Sequence, residues 1–66
     1  MSEWRWDLRS DLIDDDEWES GFESYDDAYD AMSERLTELI DEIAEEHPEM
    51  SDKEIEDSFD WEVREE

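Results

Sequence analysis

The apolar residues of this chain recur with two different periods, and the switches of period mark out its elements. Between Tyr25 and His47 they fall at Tyr25, Ala28, Tyr29, Met32, Leu36, Leu39, Ile40 and Ile43. Steps of three, four and one put all of these on one face of an α-helix. Ser24 precedes the run as an N-cap, with Asp27 at the third helical position in a variant of the capping box. Asp26 and Asp27 suit the positive end of the helix dipole. The helix is expected to stop at His47, because the residue before Pro48 is pushed out of the helical region.

Outside that run the period is two. Trp4, Trp6 and Leu8 alternate with Arg5, Asp7 and Arg9, and Phe59, Trp61 and Val63 repeat the pattern near the C-terminus. Each reads as a strand with one buried face. Trp18, Ser20 and Phe22 form a weaker third run, in which Gly21 is expected to mark a bulge or bend. Ser51 followed by Glu54 is a second capping box and predicts one short helical turn over Asp52–Asp57. The turn-rich segment from Ser10 leads into Asp14, Asp15, Asp16 and Glu17, expected to be a solvated hairpin loop. The predicted fold is α+β, in the order β-β-α-short α-β. One long amphipathic helix packs on one face of a small three-stranded sheet, with residues 1–66 as one domain. Because three of the four Trp residues fit strand alternation, the Trp side chains read as core.

Composition complicates this picture. The chain carries 27 acidic residues against 5 basic ones, a net charge of -22, and few Leu, Ile, Val or Phe. Such a balance falls on the disordered side of the usual composition rule. Four Trp, two Tyr and two Phe argue the other way, since acidic tails are aromatic-poor and each ring buries a large area when packed. Nor is there a separate tail: residues 1–24, 25–47 and 48–66 carry -7, -8 and -7.

The absence of Cys removes disulfides and thiolate metal sites and is compatible with a reducing compartment. No segment has the apolar run of a signal peptide or a membrane span, and an anionic membrane surface would repel the chain. The expected location is the cytoplasm, away from membranes. Direct nucleic-acid binding needs the opposite sign of charge. The expected partner is a basic protein, above all one whose basic surface normally holds nucleic acid.

Folding should sort the charge unevenly. Arg5, Arg9 and Arg64 occupy outward strand positions and offset most of Glu3, Asp7, Asp60 and Glu62. On the helix, Asp27, Asp30, Glu34, Glu38, Asp41 and Glu45 form a band opposite the apolar stripe, with only Arg35 near it. At the helical rise the band is about 27 Å long, one carboxylate per roughly 5 Å, against one phosphate per about 3.4 Å on a DNA strand. The band opposes folding: six like-charge i,i+4 pairs on this helix cost about 0.2 to 0.5 kcal/mol each at low salt. Glu45 and Glu46 also sit at the wrong end of the dipole. Something other than stability favours these residues. The expected binding surface is therefore this band together with Asp14, Asp15, Asp16 and Glu17.

Further chemistry finds little support. The Asp14–Glu17 run lacks the Gly and Glu that a calcium loop needs at its sixth and twelfth positions, so no metal is expected. His47 is the only His and has no catalytic partner, and one Gly provides no phosphate-cradling loop. No enzyme activity, cofactor or small-molecule substrate is expected. In size and charge, although in no residue motif, the chain resembles the small acidic products of phages and mobile elements that block restriction, CRISPR or repair machinery. The resemblance implies an inhibitor that imitates the DNA backbone. Adaptation to a salty cytoplasm would produce the same acid excess. So would service as a regulator or chaperone of a basic partner such as a histone-like protein, a toxin or RNA polymerase.

Overall fold

The computed structural model describes residues 2–66. It has the α+β architecture that the pattern predicts, in the same element order. Strand β1 spans Trp4–Arg9, β2 Glu17–Phe22, helix α1 Tyr25–Glu46, the short helix α2 Asp52–Asp57, and β3 Asp60–Glu65. The three strands form one antiparallel sheet in the order β2-β1-β3, so the first strand is central and both later ones are edges.

Both helices start on the serines that the spacing singles out. The Ser24 hydroxyl accepts the Asp27 amide at 3.2 Å, and the Ser51 hydroxyl accepts the Glu54 amide at 3.2 Å. Each bond satisfies one of the donors that a helix N-terminus leaves free. At the far end of α1 the His47 amide donates to the Ile43 carbonyl at 2.7 Å and the helix stops. No basic residue stands in that last turn to offset Glu45 and Glu46.

The core lies between the inner face of β1 and the apolar stripe of α1. Trp6 and Leu8 from the strand meet Ala28, Met32, Leu39 and Ile43 from the helix, and Ile55 and Phe59 close the far end. That closure follows from length. A 22-residue helix is about 33 Å long at 1.5 Å per residue, whereas a six-residue strand covers about 20 Å. Arg35 of α1 already reaches Glu17 at the end of the sheet, so the last three turns overhang it. Without cover, Leu39 and Ile43 would face water. Helix α2 supplies Ile55 as that cover, helped by Leu12, Ile13 and Met50.

In the connection between β1 and β2, Asp14 to Asp16 are exposed as expected, but the two residues before them are half-buried and Glu17 belongs to the strand. Leu12 and Ile13 pack against the core. The Ser10 hydroxyl accepts the Leu12 amide at 3.1 Å and meets the Ser58 hydroxyl at 2.9 Å, which ties the loop to the end of α2. Only Asp11 and Asp14 to Asp16 stand exposed in it, and Glu17 belongs to β2.

Strand β2 also departs from simple alternation, at the glycine. Trp4 pairs with Phe22 and Trp6 with Glu19, so two steps on β1 face three on β2. The extra residue is a β-bulge, and Gly21 adopts a positive φ of 89° within it. An odd insertion reverses the faces of everything beyond it. Phe22 points inward, and Trp18 lies on the outer face opposite Asp7, 59% exposed. Core status for the Trp side chains therefore holds for Trp6 and partly for Trp4, while Trp61 is 47% exposed.

Candidate functional site

The six band carboxylates of α1 stand where the pattern put them. Asp27, Asp30, Glu34, Glu38, Asp41 and Glu45 are all exposed, on the side of the helix away from Met32 and Leu39. Five of them make no ion pair among the described residues. Glu38 is the exception, accepting from the Arg35 guanidinium at 3.1 Å.

Arg35 also decides the fate of Glu17. Its Nε and second terminal nitrogen donate to the two Glu17 carboxylate oxygens at 2.6 and 2.9 Å, a fork that matches the carboxylate geometry. The hydrogen bonds from Arg35 hold the Glu17 carboxyl below its usual range and raise Arg35 further above its own. Glu17 is thus a half-buried brace between β2 and α1, which removes it from the freely presented acids of Asp14, Asp15 and Asp16. The brace has a positional consequence. It pins the strand that follows the acidic loop to the middle of the helix, while Asp16 itself lines a hollow with Arg9, Ser10, Asp11, Ser58 and Asp60.

On the opposite side of the molecule most of the negative charge is offset. On the outer sheet face Arg5 stands opposite Arg64, Asp7 opposite Glu62, and Arg9 opposite Asp60. Like charges directly opposite would repel, but the diagonals relieve them. Arg5 donates to Asp7 at 2.7 Å, Arg64 lies 3.9 Å from both Asp7 and Glu62, and Arg9 lies 3.9 Å from Glu62. The Arg5 guanidinium also sits 4.8 Å from the centre of the Trp18 ring. Three of the five basic residues are used here, and none stands on the helix band.

Beyond these surfaces there is a shallow, open hollow of about 290 Å³ lined by Arg9, Ser10, Asp11, Asp16, Ser58 and Asp60. Its two serines are committed to structure: Ser58 donates to the Ile55 carbonyl at 2.6 Å, and Ser10 holds the Leu12 amide. Among the described residues no three His, Asp or Glu side chains are placed to hold a metal ion, and no helix is long and apolar enough to cross a membrane.

Sequence reasoning missed one cluster. Trp4, Tyr25, Tyr29 and Trp61 form a run of ring contacts along the side of α1 that faces β3. Tyr25 and Tyr29 are 41% and 40% exposed, although both belong to the apolar stripe. The available signal was Trp61 flanked by Asp60 and Glu62, while the edge position of its strand came only with the fold.

The fold and its surfaces define a small α+β domain with an anionic helix face, a sheet face whose charge is largely offset and an aromatic seam where α1 meets β3. No protein-family model matches the chain, and neither the curated proteins nor the solved structures give a significant match.

Proposed function

We propose that this domain is a non-catalytic cytoplasmic inhibitor that occupies the DNA-binding cleft of a basic partner protein by imitating the phosphate backbone. One observation carries the reading, the linear density of charge. The body is 45 Å long and only 18 by 15 Å across, and it carries a net charge of -22. That is about one net charge per 2 Å of length, beside one per about 1.7 Å for duplex DNA. The uneven placement supports the same reading. Three of the five basic residues stand on the outer sheet face, Arg35 is held in its brace and Lys53 lies on α2, so the α1 face is more anionic than the average. Closely spaced carboxylates on a rigid helix can meet the Lys and Arg groups of a cleft that otherwise grip phosphates.

The test is competition. The immobilised domain captures a basic protein from a bacterial lysate, and the purified pair is titrated with labelled DNA at several fixed concentrations of the domain. Mutually exclusive binding that saturates near one domain per site is expected, with no affinity of the domain for DNA. A ternary complex in which DNA affinity is unchanged would reject mimicry and assign the protein to the acidic regulators of basic partners.

A further inference from the structure

Helix α1 is bordered by two seams, and they are finished differently. The seam with β2 is closed by Arg35 clasping Glu17. Among the described residues the seam with β3 has no such clasp. Instead Trp4 meets Tyr25 edge to face at 5.8 Å, Tyr25 lies nearly parallel to Tyr29 at 6.1 Å, and Tyr29 meets Trp61 edge to face at 5.5 Å. With Tyr25, Tyr29 and Trp61 each two-fifths or more exposed, the run is a contiguous aromatic surface open to water. In a chain with 48% charged residues, leaving these rings uncovered is the exception.

The surroundings say what would cover them. Asp26 and Asp30 each follow one of the tyrosines and are exposed on the same helix, and Glu65 shares the inner face of β3 with Trp61. The arginines all stand elsewhere: Arg5, Arg9 and Arg64 face outward on the sheet, and Arg35 is in the opposite seam. Exposed ring faces on elements that also carry unpaired carboxylates attract a cation that is planar and weakly hydrated. A guanidinium meets that description, and a strongly hydrated ammonium meets it less well. The fold already pairs these groups once, where Arg5 covers Trp18.

We propose that the seam between α1 and β3 is a docking place for arginine side chains of a cationic protein segment. This deepens the function proposed above, because it names the group that the basic partner brings. The carboxylate band attracts any cation, and the seam selects arginine over lysine.

The experiment titrates the intact domain with hexa-arginine and with hexa-lysine peptides, following the ring resonances of Tyr29 and Trp61. At about 0.15 M KCl the arginine peptide is expected to bind about tenfold more tightly, the product of cation–π contacts with two rings. At about 0.5 M KCl both affinities fall but the ratio persists, because the ring contacts are screened less than exposed charge pairs. Tyr29→Leu and Trp61→Leu keep apolar bulk and remove the ring faces, and each is expected to bring the two peptides closer together. Both residues are well exposed, so two separate variants guard against a loss of fold in one, with circular dichroism as the check. Equal binding of the two peptides by the native chain, or an undiminished preference in both folded variants, would overturn the seam. Neither result would touch the DNA-mimic reading, which fails instead if a ternary complex with DNA forms in the competition assay.

Discussion

Reversing two carboxylates at the middle of the band, Glu34→Lys with Asp41→Lys, should separate binding from folding. Both side chains are exposed and unpaired among the described residues, whereas Glu38 is tied to Arg35 and would disturb the brace if changed. A carboxylate 4 Å from a partner cation contributes about 1 kcal/mol in water, and reversal turns that into a repulsion of similar size. Two sites then lose about 4 kcal/mol, or roughly a thousandfold in Kd. The matched control is Asp60→Lys with Glu62→Lys, which changes net charge equally but on the outer sheet face. That face is separated from the band by a body 15 to 18 Å across, about two Debye lengths at physiological salt, so the control should lose less than about threefold.

The same reversal should stabilise the fold. It converts Asp30/Glu34, Glu34/Glu38 and Asp41/Glu45 from repulsive to attractive i,i+4 pairs, a gain of about 1 to 3 kcal/mol in all. For a domain of this size each kcal/mol raises Tm by about 4 to 8 °C. The assay is competition against labelled DNA for the captured partner, with thermal melting in parallel. Weaker binding with a higher Tm is the expected pair of results. Equal binding losses in the two double variants would show that net charge alone attracts the partner and that the placement of the band plays no part.

Three further outcomes are expected. The native domain should be folded at about 0.1 M KCl and gain only a few kcal/mol as screening relieves the helix repulsion; unfolding below about 1 M KCl in circular dichroism would favour salt adaptation. Glu17→Gln should lower Tm at neutral pH. The native carboxylate is held by Arg35 below its ordinary value near 4.5, so its contribution is complete above that value and is lost as pH falls through the folded pKa. The Tm difference between native and variant should therefore shrink between about pH 6 and pH 3, and a constant difference would contradict the linkage. Gly21→Ala should cost about 1 to 2 kcal/mol through the positive φ alone, since an added Cβ would meet nothing within 4 Å. Gly21→Asn should cost less in thermal melts, because Asn tolerates that region better, and an equal cost would point away from backbone strain.

The sequence by itself determined the elements and their order, because those rest on local physics. Ser24 and Ser51 cap helices wherever the chain goes, Pro48 stops one, and the periods of two and 3.6 residues are set by backbone geometry. The band from Asp27 to Glu45 was legible for the same reason, as a helical face is fixed by spacing alone. What escaped depended on which elements meet. The mismatch between a long helix and short strands decided that Leu12, Ile13 and Ile55 must cover the overhang, so part of an acidic loop became core. Gly21 was legible as the place of a bulge or bend, but the consequence, a reversal of the faces of β2 that turns Trp18 outward, appears only in the pairing register. Strand order placed β3 at an edge beside Tyr25 and Tyr29 and opened the aromatic seam. The pairing of Arg35 with Glu17 joins residues 18 apart in sequence. It exists only once β2 and α1 are packed, because charge in a sequence has a sign but no partner until the chain has folded.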